Sequence, residues 1–155
     1  MSPSKAVQPE LQYNPRFREG LAVCSFDIWI EPGAVVVHEW HSGLGNRRVG
    51  PRLVFQPDQL LVGADEVFLT PVPSNEWVHV EVECGLGRHA QVPAVYKVTL
   101  SYEGQMPEPY EDLLCVYRRF RALDQCVFLG STEEETSHSL DNIHIALRRS
   151  GGETF

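Results

Sequence analysis

The sequence predicts an all-β protein, one antiparallel β-sandwich with at most one short helix. Three observations lead there. Trp77-Val78-His79-Val80-Glu81-Val82-Glu83-Cys84 alternates without a break. Val78, Val80, Val82 and Cys84 fall on one face and Trp77, His79, Glu81 and Glu83 on the other, as a strand with one buried and one wet face requires. The same rhythm returns in short segments separated by turn residues. Crossover helices, which a parallel α/β sheet needs, are missing.

The elements follow in chain order. Residues 1–12 are polar and carry Pro3 and Pro9, so they read as a mobile arm. Residues 21–30 put Ala22, Cys24, Phe26, Ile28 and Ile30 on one face, with Ser25, Asp27 and Trp29 opposite, and Pro32-Gly33 marks a turn. Residues 34–40 open with Val35-Val36-Val37, a continuous apolar run suited to a central strand. Short strands are expected over residues 52–55, 59–62 and 66–69, and the clearest over 77–84. Residues 95–102 alternate Tyr96, Val98, Leu100 and Tyr102 with Lys97, Thr99 and Ser101. Residues 110–123 depart from the rhythm: Leu113, Val116, Tyr117 and Phe120 recur at helical spacing behind Pro109, so a short helix is expected there. Residues 126–129 and 140–147 complete the strands, the latter burying Ile143, Ile145 and Leu147.

At 155 residues the chain fits one domain, expected over 13–148 with a tail at 149–155. A domain of this size buries roughly 70% of its unfolded surface, so no staple is needed. Hydrophobic residues at 43% and charged residues at 22% are ordinary for a globular protein. The net charge of −8 argues against nucleic acid as a partner, because like charges repel. No apolar run is long enough for membrane insertion. Met1-Ser2-Pro3-Ser4-Lys5 lacks the hydrophobic stretch of a secretory signal, which leaves a cytoplasmic protein or an exported one without its leader. The four cysteines lie among apolar neighbours with no Cys-x-x-Cys pair. They are expected as buried free thiols rather than disulfides or a zinc site.

Chemistry-bearing residues cluster in few places. In His38-Glu39-Trp40-His41 a strand puts Glu39 and His41 on one face and His38 and Trp40 on the other. That splits the two histidines and disfavours a metal pair. The plainer expectation is that Glu39 is held by a cation such as Arg48, while Trp40 packs in the core. Of the three tryptophans, Trp40 and Trp77 are expected between the sheets. Trp29, sharing a face with Ser25 and Asp27, is the best ring for a sugar. His79, Glu81 and Glu83 form a polar stripe. Acid–base work is one reading, but carboxylates two residues apart on a strand lie roughly 7 Å apart and commonly face water. Asp141 and Asn142 carry the oxygens that suit calcium; the competing role is to accept hydrogen bonds from a turn. Glu133-Glu134-Glu135 reads as a solvated loop, and the Arg118-Arg119 and Arg148-Arg149 pairs are too small for a nucleic-acid footprint. No catalytic motif is evident and no cofactor is called for.

Three blocks resemble a known family. Gly33-Ala34-Val35-Val36-Val37-His38-Glu39-Trp40-His41 followed by Arg48-Val49-Gly50-Pro51, then Asn75-Glu76-Trp77-Val78-His79 with Cys84-Gly85-Leu86-Gly87, then Leu140-Asp141-Asn142-Ile143, occur in the order found in a concanavalin A-like, laminin-G-like jelly-roll domain. That domain typically stands at the C-terminal end of bacterial parallel β-helix (pectate-lyase-like) proteins. The likeness spans residues 11–147. His41 stands where an arginine is usual, and Ser101-Tyr102-Glu103-Gly104-Gln105 replaces a tighter turn. The resemblance implies a jelly-roll sandwich serving as an accessory domain.

Three functions are therefore carried forward. The first is a non-catalytic module that binds a carbohydrate or cell-surface polymer through Trp29, Asp27, Glu39, His41, Arg48, His79 and Glu81. The second is a structural sandwich that docks on a protein partner or forms a homo-oligomer. The third is a polysaccharide lyase or hydrolase using Glu81 or Glu83 with His79 or His41.

Overall fold

The computed structural model describes residues 10–43, 47–132 and 138–148. They form two stacked antiparallel sheets. The six-stranded sheet runs in the order β1 (Glu10–Tyr13), β10 (Gln125–Thr132), β3 (Ala34–Ser42), β4 (Arg48–Gln56), β5 (Gln59–Val62) and β6 (Val67–Pro71). The five-stranded sheet runs β11 (His138–Arg148), β2 (Gly20–Ile30), β7 (Trp77–Leu86), β8 (Val95–Tyr102) and β9 (Glu108–Leu114). The fold is the all-β, antiparallel sandwich that the alternation predicts.

Alternation places the core. Val78, Val80, Val82 and Cys84 of β7 face inward beside Cys24, Phe26 and Ile28 of β2, and meet Trp40, Leu53, Phe55 and Phe128 of the other sheet. Full burial of one such side chain contributes roughly 1.5–3 kcal/mol, so this shared layer is the main force joining the sheets. All four cysteines are free and buried. One polar group lies at the centre. His38 is fully buried, stacked on Phe128 with ring centroids 4.3 Å apart and edge-on to Phe26 at 5.0 Å. The indole N–H of Trp40 donates to its Nε2 at 3.0 Å. That nitrogen is therefore the acceptor, and Nδ1 carries the proton given to the Val127 carbonyl at 3.1 Å. Both ring nitrogens are satisfied, which is the condition for burying them.

The structure corrects the expected helix over residues 110–123. Residues 108–114 are strand β9, residues 115–124 are turns and irregular backbone, and a three-residue 3-10 turn, Gly87–His89, is the only helical piece among the described residues. The reason is a β-bulge. Tyr96 pairs with Leu113 but Val98 pairs with Tyr110, so one residue of β8 faces two of β9, and Asp112 takes a left-handed φ of 60°. Tyr110 and Leu113 both reach the core although three apart. A bulge imitates helical spacing because it shifts the pleat by one residue. β11 repeats the device: its register slips between Asp141 and His144, Asn142 has φ 53°, and Leu140 and Ile143 both pack inward.

Part of the segment expected as an arm over residues 1–12 is instead paired in a sheet. Glu10–Tyr13 is strand β1, paired antiparallel with β10. Residues 1–9, the tail 149–155 and the Glu133-Glu134-Glu135 run lie outside the described residues. No helix among the described residues is long and apolar enough to cross a membrane.

Candidate functional site

The outer face of the five-stranded sheet carries a grid of polar and aromatic side chains, set by cross-strand register. Trp29 pairs with Trp77, Asp27 with His79, and Ser25 with Glu81. Across the next ladder His79 pairs with Ser101 and Glu81 with Thr99. Trp77, expected between the sheets, belongs here instead and is 44% exposed. Its own alternation decides this, because it is in phase with His79 rather than Val78. Trp29 and Trp77 meet edge to face with ring centroids 5.7 Å apart. Such a pair is rigid and presents apolar ring surface to solvent.

One row away, Asp27 is held from both sides. His79 Nδ1 lies 2.6 Å from Oδ1, and Asn142 Nδ2 donates to Oδ2 at 2.7 Å. Burial alone would raise the Asp27 carboxyl. The hydrogen bonds from Asn142 and His79, with the attraction of the imidazole, outweigh it and hold the group below the usual aspartate range. The ionised carboxylate can only accept, so His79 Nδ1 carries the proton. Its Nε2 stands on a side chain 47% exposed, available to a ligand. Asn142 arrives here because of the β11 bulge, with its backbone N–H donating to Asp141 Oδ1 at 2.8 Å.

Farther along the face, Glu83 follows Glu81. Partial burial and the neighbouring Glu81 push the Glu83 carboxyl above the usual range, against the pull of Lys97, whose Nζ is 3.9 Å away.

Glu39 and His41 share a face as expected, but that face belongs to the six-stranded sheet, away from Asp27 and His79. The Glu39 carboxylate receives His41 Nε2 at 2.7 Å and Arg52 Nε at 2.8 Å. The cation is Arg52, not Arg48: β4 places Arg52 directly across from Glu39. Arg52 also donates to the Gly63 carbonyl at 3.0 Å and pairs with Glu66 at 3.1 Å. The bond with His41, opposed by burial and reinforced by Arg52, holds the Glu39 carboxyl below the usual range. The Nδ1 of His41 is buried without a hydrogen-bond partner. This cluster is closed: the Glu39 and Arg52 side chains are 16% and 19% exposed.

Arg48 lies at one end of the sandwich, its guanidinium 4.7 Å from the centroid of the Tyr117 ring. The seven residues singled out from sequence therefore divide among three places. Asp27, Trp29, His79 and Glu81 come together, Glu39 and His41 form a second group, and Arg48 stands apart. Asp141 and Asn142, the calcium candidates, spend a carboxylate oxygen on the local backbone and an amide on Asp27. Among the described residues no group of three or more His, Cys, Asp or Glu is arranged to hold a metal ion. Sequence reasoning missed Trp77 as a surface ring and Asn142 as a partner of Asp27. The phase of Trp77 with His79 was the available signal for the first. Nothing local announced the second.

No protein-family model matches the chain, and no curated protein is significantly similar to it. Solved structures do share its fold. A marine PL-14 alginate lyase from Aplysia kurodai matches with TM-score 0.57 and 11% identity, over 83% of this chain and 70% of the lyase. CG-16, a homodimeric agglutinin from chicken liver, matches with TM-score 0.51 and 9% identity over 89% of this chain and 100% of the agglutinin. A double mutant of congerin II matches with TM-score 0.50 and 9% identity, over 90% and 99%. These likenesses establish a jelly-roll β-sandwich.

Proposed function

We propose that the protein is a non-catalytic carbohydrate-binding module that holds a saccharide on the outer face of its five-stranded sheet. One observation carries this reading. The Asp27 carboxylate, clamped by His79 and Asn142, lies one cross-strand row from the Trp29–Trp77 pair. A sugar ring offers hydroxyls along its edge and an apolar C–H face. The carboxylate and imidazole suit the hydroxyls, and the exposed indole suits the face. Because the fold is shared by an agglutinin and an alginate lyase, architecture does not choose between binding and catalysis; the side chains must. Here His79 is committed to Asp27, while Glu81 and Glu83 are neighbours on one strand with Lys97 beside Glu83. The likeness of three sequence blocks to the accessory domain of β-helix proteins supports an accessory role.

A glycan array followed by calorimetry on the positive glycans tests the reading. Binding that weakens in Trp77→Ala and Asp27→Ala sustains it, and silence across plant, algal and microbial glycans removes it. Turnover of any polysaccharide, lost in Glu81→Gln, would replace it with an enzyme. A second reading, self-association, is favoured by edge strand β6, where Val67 and Phe68 are 58% and 54% exposed. An exposed apolar edge is a template for pairing. Sedimentation showing a strict monomer at high concentration excludes it.

A further inference from the structure

The end of the sandwich bearing Arg48 contains a pocket of about 670 Å³, within the size range of small-ligand sites. Three arginines line it, Arg48, Arg119 and Arg121, together with Tyr117, Phe120, Ser42, Gly43 and residues 90–92; among the described residues no carboxylate does. In a chain of net charge −8 this is a local reversal of sign. Arg18, Arg52, Arg88 and Lys97 take part in ion pairs with carboxylates, whereas none of the ion pairs among the described residues includes the three pocket arginines. The acid beside the pocket, Asp124, is already engaged: it accepts from the Gly43 N–H at 2.6 Å and pairs with Arg18 at 2.5 Å.

The pocket is built on anchored backbone. Tyr117, Arg119, Phe120 and Arg121 stand on a segment tied to β4 by Val116 N–H donating to the Gly50 carbonyl and Tyr117 N–H to the Val49 carbonyl, at 3.1 and 2.7 Å. From the other side Gly87 N–H donates to the Arg121 carbonyl at 2.9 Å, and Ala94 N–H to the Arg118 carbonyl at 2.8 Å. The Phe120 ring lies so close over Gly50 that a Cβ there would meet it at 2.5 Å. Arg48 is oriented by lying over the Tyr117 ring, a cation–π contact.

The geometry points to a binding site for an oxyanion (a carboxylate, sulfate or phosphate group borne by a small ligand) held by Arg48, Arg119 and Arg121. Guanidinium groups take such anions through paired N–H donors, and a concave basic site concentrates its field on the bound charge. An anion also relieves the mutual repulsion of the three cations. This site is separate from the Asp27–Trp77 face and stands whether or not that face binds sugar.

Calorimetry on the full chain tests it with a small dicarboxylate (malonate), inorganic sulfate, inorganic phosphate and a neutral trisaccharide, each at low and physiological salt. At least one anion should bind, more weakly at the higher salt, and the tightest binder names the group. Arg119→Gln/Arg121→Gln should weaken that binding by about tenfold per arginine removed. Arg48→Gln gives the same readout should the double variant fail to fold. Binding of no anion overturns the proposal. So does binding of equal strength in a folded arginine variant. Loss of neutral-saccharide binding in Trp77→Ala reports on the sheet face alone, so the two proposals fail independently.

Discussion

Two carboxylate–histidine pairs occupy opposite outer faces of this sandwich, and they differ in what surrounds them. Glu39 with His41 on β3 is closed off: Arg52 completes the carboxylate, Gly63 and Glu66 hold Arg52, and little of the group meets water. Asp27 with His79 joins β2 to β7 in the open, with Asn142 as its third member and a pair of tryptophans one row away. The chemistry is the same and the consequences are not. A buried ion pair whose partners are all within the fold acts on stability, because losing one member strands the others away from solvent. An exposed one contributes little to stability and leaves its outward atoms for a ligand.

The comparison breaks first on unfolding. Glu39→Ala should lower stability by about 3 kcal/mol, because Arg52 and His41 would be left half-buried without their acceptor. Urea denaturation measures this, and a loss no larger than that of Asp27→Ala would make the two pairs equivalent. Next comes binding. Asp27→Ala and Trp77→Ala should each weaken saccharide affinity about tenfold while shifting stability by less than about 1 kcal/mol; calorimetry and thermal unfolding give the two numbers separately.

The β11 bulge sharpens the contrast further. Asn142→Gly keeps the left-handed backbone but removes the amide donated to Asp27, so affinity should drop with stability nearly intact. Asn142→Val should cost about 1–2 kcal/mol as well, since a branched side chain resists positive φ. Equal stability of the two variants would mean that the bulge is not held by its backbone conformation.

The smallest effect is in pH. Both carboxyls are depressed in the folded state, from ordinary values of 4.5 for Glu39 and 3.8 for Asp27. Each therefore contributes stability that is complete above its ordinary value and is lost as pH falls through the lower folded value. These two contributions, read as the differences between the wild type and the Glu39→Gln and Asp27→Asn variants, should hold from neutral pH down to about pH 4.5 and then decline. Glu39→Gln should remove more of that decline than Asp27→Asn, because water screens the Asp27 pair.

Much of the architecture was legible in the chain. The period-two burial of Val78, Val80 and Val82, and the shared face of Glu39 and His41, follow from the pleat alone. The error over residues 110–123 has a local cause. At Asp112 and at Asn142 a bulge adds a residue, and the count that places apolar side chains on a face changes by one. Local pattern then read Leu113, Val116, Tyr117 and Phe120 as a helix, although they belong to a strand and the turn that lines the arginine pocket.

The alternation of apolar and polar residues by itself determined that this chain makes antiparallel layers, which side chains lie between them and which face water. That information is local, because a residue's face depends only on its neighbours along the strand. Only the tertiary structure decided that Asp27 meets His79 and Asn142 while Glu39 meets Arg52, that Trp77 stands beside Trp29, and that Arg48, Arg119 and Arg121 share one pocket. Those meetings depend on register, bulges and sheet stacking, which are fixed by the burial of the whole core across residues distant in sequence.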